Sequence, residues 1–265
     1  MFYSDKEIQL SESFLKNGYC ISDTIEKNNL DFLREQIFKI LVDNSYIKSS
    51  LKIDEFFYNT HQYINLDILN EVRLCIIEGL AKNKDIRPKY YKIFKNELDL
   101  IVGNELVMQK RLNLSIQLPN DSSSLLSIHA DTWSGDSPYE TVCWLPLVDC
   151  KKTMCMFILP AYEYDSFVNL YKNMNEKNSE NLYNEIKNQL KWIEIKYGQT
   201  LIFNQNLPHG NIVNDEEFSR WSFNCRFKGV FTPYADKRIG EFFEPVTLKP
   251  ASKFGMEYKY LDFDS

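Results

Sequence analysis

Apolar positions recur at helical spacing through the first hundred residues and then switch to alternation. Ser4–Lys16 carries Ile8, Leu10, Phe14 and Leu15, and Gly18 closes that pattern. Tyr19-Cys20-Ile21 reads as a short extended piece. Asp23-Thr24 is placed to cap a helix bearing Leu30, Phe32, Leu33, Ile37, Ile40 and Leu41. Ile64, Leu66, Ile68, Leu69, Val72, Ile76 and Leu80 predict a further helix over 64–83. Residues 1–105 are thus expected to form a mostly helical support. From 106 to 118 the period is two: Arg111, Asn113, Ser115 and Gln117 fall on one face, Leu112, Leu114, Ile116 and Leu118 on the other. That predicts one strand, ended by Pro119-Asn120-Asp121. Strand-like pieces follow at 125–131, 140–147, 153–159, 193–196, 199–204, 209–213 and 219–232, with a helical insertion over 161–192. Many short strands with turn signals point to a sandwich or barrel. The expectation is a mainly β fold with flanking helices, one domain over 1–265 with its β-core in 106–265.

Composition narrows the function. The 265 residues carry a net charge of −6, which argues against a duplex-binding surface. The aromatic share of 14% suits strands and a walled pocket. The six cysteines include no C-x-x-C pair, so reduced thiols in a cytoplasmic protein are expected. The opening MFYSDKEIQLSE has no apolar core of a signal peptide, and no apolar run reaches the ~18 residues of a membrane helix. A small-molecule partner is expected, with no nucleic acid and no membrane span. Oligomeric state is not legible.

Any histidine chemistry must use His61, His129 and His209, the only three present. His129-Ala130-Asp131 on a strand sends imidazole and carboxylate to the same side. With His209, in Asn206-Leu207-Pro208-His209-Gly210-Asn211, it makes the two-histidine, one-carboxylate set of the non-haem Fe(II) facial triad. Such a set leaves coordination positions open for a co-substrate and oxygen. A hairpin centred near Asp215 would place Arg220 across from His209. Arg220, Ser222, Asn224 and Arg226 share one strand face; Trp221, Phe223, Cys225 and Phe227 share the other. The Arg220 fork suits the carboxylate of a dicarboxylate co-substrate, with Ser222 adding a hydrogen bond. His61, near Tyr58 and Tyr63, reads as structural or surface. A short H-x-D by itself arises often by chance, and a polar strand face is usually a solvated one. The conjunction carries the reading. No G-x-S-x-G occurs, so a serine hydrolase fits poorly.

The chain resembles the phytanoyl-CoA-dioxygenase-like branch of the Fe(II)/2-oxoglutarate oxygenases, and within it the oxygenases of carbohydrate gene clusters. The residues that carry this are Phe14-Leu15-Lys16-Asn17-Gly18-Tyr19, Ile116-Gln117-Leu118-Pro119, His129-Ala130-Asp131-Thr132-Trp133-Ser134-Gly135, Ser137-Pro138-Tyr139-Glu140, Cys143-Trp144-Leu145-Pro146-Leu147-Val148-Asp149, His209-Gly210-Asn211 and Arg220-Trp221-Ser222. The resemblance implies a double-stranded β-helix, the cupin-type jelly roll. It implies His129, Asp131 and His209 as iron ligands, and Arg220 with Ser222 on the distal carboxylate of 2-oxoglutarate. It sets Trp144 and Gln117 beside that co-substrate. It implies a dioxygenase using Fe(II), 2-oxoglutarate and O2 on a sugar or nucleotide-linked sugar. Asp131 favours hydroxylation or a related oxidation, since halogenases on this scaffold carry a small residue there. The family's Asn-Gly turn and Pro-Gly-Ser-His motif are absent; Cys150-Lys151-Lys152-Thr153 and Leu159-Pro160-Ala161-Tyr162 stand instead. Two rivals remain open: a cupin-like sugar isomerase or epimerase, and a non-catalytic carbohydrate-binding jelly roll.

Overall fold

The computed structural model describes residues 2–259. Its helices come first. Helix α1 (Asp5–Asn17) starts in a capping box, in which Ser4 and Glu7 satisfy one another's backbone N–H groups. It ends at Gly18, whose φ of 78° is the left-handed region that glycine enters without strain. Strand β1 (Tyr19–Asp23) follows, then α2 (Lys27–Asp43), α3 (Ile53–Tyr58), α4 (Leu66–Ala81) and α5 (Ile86–Ile101). Asp23-Thr24 does not cap α2: Asp23 is paired in β1, and the cap position is Glu26. Helix α5 escaped the periodicity reading, because its buried Ile86, Tyr90, Ile93, Phe94 and Leu98 alternate with many charged residues.

The stretch predicted as one strand over 106–118 is two, β2 (Leu106–Gln109) and β3 (Asn113–Gln117). Both pair with the same edge of one long strand, β9, given below, but the register slips by two residues between Met108 and Asn113. That is a bulge; it re-aims the strand and turns Arg111 away from the face of Asn113 and Ser115. The remaining elements are β4 (Thr141–Pro146), β5 (Phe157–Ile158), α6 (Tyr164–Asn173), α7 (Ser179–Ile186), β6 (Lys191–Trp192), β7 (Gln199–Asn204), β8 (His209–Gly210), β9 (Arg220–Gly229), β10 (Phe243–Pro245) and α8 (Pro250–Glu257).

Strands β1-β7-β4-β9-β2-β10, with β3 also on β9, form one antiparallel sheet; β6-β5-β8 form a second. The expected hairpin about Asp215 is therefore absent. His209 pairs with β5 in the small sheet, while Arg220 pairs with Gln117 in the large one. Alternation along β9 explains the layering. Trp221 packs at 5.0 Å from the Phe57 ring and Phe223 at 6.4 Å from Tyr90, so one face is covered by α3 and α5. Trp221 also donates its indole N–H to Thr60 Oγ1 at 2.7 Å. One hydrophobic cluster runs from the helices into the large sheet. A smaller one joins Ile128 and Phe157 to Phe167, Leu182 and Ile186 of the 161–192 insertion. The expected strand over 125–131 is reduced to a bridge, His129 opposite His209.

Candidate metal centre and its cavity

That bridge builds the site. The His129 N–H donates to the His209 carbonyl at 2.9 Å, and the His209 N–H donates back at 2.8 Å. Two residues exchanging both bonds stand directly opposite, so their side chains leave the same side. The imidazole centroids are 4.4 Å apart. Asp131 is fixed by its backbone N–H, 3.1 Å from the Gln205 carbonyl. One ligand atom each from His129, Asp131 and His209 lie within 4.8 Å of one another. Gly210 permits the close approach: a Cβ there would stand 2.7 Å from the Leu126 carbonyl oxygen and 2.9 Å from the Phe157 ring.

The protonation states suit metal binding. His129 Nδ1 lies 2.7 Å from the Ser127 carbonyl oxygen and His209 Nδ1 lies 2.8 Å from that of Leu207. A carbonyl only accepts, so each Nδ1 carries the hydrogen and each Nε2 lone pair points inward. Burial, joined by the charge of His129, lowers His209 to about 4, so its imidazole is neutral. Burial also works against a charged His129, but the hydrogen bonds to Asp131 and to the Ser127 carbonyl win and raise it. Burial would raise Asp131; the bond to His129 and the charges of His209 and Arg226 outweigh it and hold the carboxyl well below its usual range.

Arg226 grips the other carboxylate oxygen. Its Nη2 is 2.9 Å and its Nε 3.3 Å from Asp131 Oδ2, and Nε donates also to Gln205 Oε1 at 3.0 Å. Gln205 in turn donates to Glu140 Oε2 at 3.1 Å. Burial and the nearby Asp136 raise Glu140 to about 7. Lys237 closes the network on Asp136 at 2.6 Å. Asp131 thus keeps Oδ1 for a metal while Oδ2 is held by the protein.

The triad opens into a cavity of about 470 Å³ between the two sheets, lined among others by Trp144, Met156, Phe203, Asn224, Arg220 and Arg226. Arg220 is 2% exposed; its Nη2 donates to Ser115 Oγ at 2.9 Å, and its buried Nε has no partner. The Ser222 hydroxyl is also buried without a partner. Ser222 and Gln117 do not line the cavity, and Gln117 spends its amide N–H on the Ile212 carbonyl at 2.6 Å. His61 stands apart, its Nδ1 3.1 Å from Ser219 Oγ. Arg111 lines a separate groove of about 630 Å³ beside α4, α5 and β2, which contains none of the triad. Lys228, another cation of the C-terminal region, is fully buried with its Nζ on the carbonyls of Thr232 and Pro233.

The sequence reading missed the grip of Arg226 on Asp131. Strand alternation placed Arg226 on the cavity face, but not the side chain it reaches. Gln205 gave no signal at all, since it acts through its backbone carbonyl and one amide.

No family model and no curated protein matches the sequence. Solved structures do. SnoK, a non-heme alpha ketoglutarate dependent carbocyclase from nogalamycin biosynthesis, is similar at 13% identity over 93% of this chain and 97% of that one, with a TM-score of 0.55. EctD from S. alaskensis in its apoform is similar at 16% identity over 91% and 86%, with a TM-score of 0.53. HygX from Streptomyces hygroscopicus, solved with nickel and 2-oxoglutarate bound, is similar at 10% identity over 88% and 89%, with a TM-score of 0.53. At this identity the likeness is one of fold. The fold is accordingly the jelly roll expected from the sequence, antiparallel with flanking helices and without a closed barrel.

Proposed function

We propose that this chain is an Fe(II)- and 2-oxoglutarate-dependent oxygenase. The observation that carries it is the convergence of two inward Nε2 lone pairs and Asp131 Oδ1 at the floor of a cavity whose wall holds an arginine with a buried Nε lacking any partner. The donor set fits the group: imidazole and carboxylate without thiolate suit Fe(II), and every cysteine lies outside it. Arg220 Nε, buried without a partner on a residue of the cavity wall, is suited to an anionic oxygen brought in by a ligand. The neighbours SnoK and HygX, whose names specify 2-oxoglutarate, support the same reading.

His129, Asp131 and His209 would hold the iron. When bound, Fe(II) with 2-oxoglutarate and O2 supplies the oxidising power to break a substrate C–H bond. The chain's part is positional. The carbonyls of Ser127 and Leu207 fix both imidazole tautomers. Arg226 steers Asp131 so that one carboxylate oxygen faces the metal. Arg220 anchors the distal carboxylate of 2-oxoglutarate, and Trp144, Met156 and Phe203 keep the wall dry. Ser222 and Gln117, which lie outside the lining, act through the β3–β9 register rather than by contact. The prime substrate in this reading is a small molecule, a sugar or nucleotide-linked sugar. Its support is the likeness of the Gln117–Asp149 run to oxygenases of carbohydrate clusters.

The test is turnover. Protein with Fe(II), 2-oxoglutarate and O2 is screened against sugars and sugar nucleotides for succinate release. Succinate stoichiometric with an oxidised sugar supports the reading. Sugar rearrangement with no 2-oxoglutarate consumed indicates the isomerase instead.

A further inference from the structure

The cavity contains a third arginine for which iron and co-substrate have no use. Arg73 reaches into it from α4. Its Nη2 is spent on the Ile116 carbonyl at 2.5 Å and on the Ser124 hydroxyl. Its Nε and Nη1 make no hydrogen bond among the described residues, and neither is a buried atom. No carboxylate lies within ion-pair distance of it among the described residues. The nearest acid in its field, Asp121, is outside the lining and is taken up by the Ser123 N–H at 2.7 Å and the Ser124 hydroxyl.

The charge balance of the lining is one-sided. Three arginines, Arg73, Arg220 and Arg226, face one carboxylate, Asp131. Arg226 and Asp131 neutralise each other. In the proposed oxygenase the charges of Fe(II) and doubly ionised 2-oxoglutarate also cancel. Arg220 and Arg73 then remain, the latter with Asp121 behind it and outside the lining, in a partly closed cavity that offers them no further carboxylate and where a charge interacts more strongly than in water. The surrounding protein is acidic, with a net charge of −6, so the positive cavity is local and not a reflection of the whole surface.

We infer that Arg73 is an anion subsite for the prime substrate, which carries a phosphate or carboxylate group. This rests on the oxygenase reading and names its substrate class. The subsite sits beside Ser123, Ser124, Leu125 and Leu126, which also line the cavity. The Ser124 hydroxyl already donates to Asp121 and accepts from Arg73, so an oxyanion is held by the remaining donors of Arg73, while Asn113 and Asn224, which bond each other at 2.8 Å, stand on the same cavity wall for the rest of the substrate.

The test uses anaerobic protein loaded with Fe(II) and 2-oxoglutarate, titrated calorimetrically with inorganic phosphate and, separately, with acetate at matched ionic strength. Saturable binding of one anion is expected, weakened at least tenfold in Arg73→Gln and partly restored in Arg73→Lys. The preferred anion tells phosphate from carboxylate. Because Arg73 also ties α4 to β3, thermal midpoints of the variants are measured alongside. An Arg73→Lys protein with a lowered midpoint but retained anion binding separates charge from scaffolding. Absence of saturable binding in the wild type, or binding unchanged in Arg73→Gln, overturns the inference. The dissociation constant of 2-oxoglutarate on the same samples keeps the two readings apart. If 2-oxoglutarate itself fails to bind, the oxygenase reading is at fault; if it binds and the anions do not, the subsite is.

Discussion

At the residue scale, two arginines six positions apart on one strand face carry different duties. Arg226 touches a candidate ligand, whereas Arg220 lines the cavity with a buried Nε that has no partner. Substituting Arg220→Ala removes charge-assisted bonds worth ~1.5–3 kcal/mol each. The dissociation constant of 2-oxoglutarate should rise roughly 10²–10⁴-fold at ~1.4 kcal/mol per tenfold. Iron affinity should stay near wild type. Arg226→Ala should do the reverse: iron affinity falls by about 10–100-fold, the usual cost of losing a group that orients a ligand. Side-by-side titrations of both ligands into both variants decide it, and a large 2-oxoglutarate loss confined to Arg226→Ala would exchange the two roles.

The histidines make a pH prediction with a definite sign. A proton competes with metal only at a ligand that binds it in the metal-free protein. His129 is raised above its ordinary value of 6.5, so from about pH 6.5 downward it is protonated. His209, lowered to about 4, stays neutral until pH approaches that value. Between them one proton is displaced per metal, and affinity should fall tenfold per pH unit; near pH 4 the slope should steepen. A two-proton slope already at pH 6 would mean that both imidazoles are ordinary.

At the element scale, the site depends on β8 lying against both β5 and the His129 bridge. Gly210 is the residue that allows it. Gly210→Ala forces Cβ against the Leu126 carbonyl and the Phe157 ring, and overpacking of this kind costs ~1–3 kcal/mol. The variant should melt earlier and hold iron more weakly, because His209 shifts with its neighbour. Unchanged melting would show that the Leu126 segment yields freely.

The same elements show what the sequence could and could not tell. Alternation over Arg220–Phe227 assigned both faces of β9, and β7 was legible over its whole length as a short apolar run between polar residues. Apolar spacing located α1, and Gly18 marked its stop. Pairing partners were not legible. A strand of two residues such as β8 has too few positions to specify its neighbour, so the assumed hairpin gave Arg220 the wrong sheet while still giving it the right face. The two-residue slip between β2 and β3 was hidden for a related reason: apolar alternation resumes after it, and only the partner strand reveals the extra residues. Within the site, His-Ala-Asp and His209 were visible as residue types. Arg73 was not, because it interrupts a helix whose visible signal is the core stripe of Leu69, Val72 and Ile76.

At the scale of the whole molecule, the His129–His209 bridge ties the segment bearing His129 and Asp131 to the small sheet, while Arg226 of the large sheet holds Asp131. A metal bound there ties the 129–131 segment to the small sheet and binds the folded state alone. At a free concentration 100 times its dissociation constant it adds about 2.7 kcal/mol. For a chain of this size that is roughly 5–10 °C in Tm. Fe(II) under anaerobic conditions should raise the midpoint by that amount, a chelator should reverse it, and His209→Ala should show neither change. A shift retained in His209→Ala would place the metal elsewhere.

The central claim is that iron and 2-oxoglutarate meet at one site built by His129, Asp131 and His209. Calorimetric titration of 2-oxoglutarate into anaerobic protein, with and without Fe(II), in wild type and Asp131→Ala, tests it most directly. The account predicts one 2-oxoglutarate per chain, bound tightly only with Fe(II) present, and no iron-dependent gain in Asp131→Ala. Binding that is indifferent to iron, or an iron-dependent gain that survives in Asp131→Ala, would contradict it.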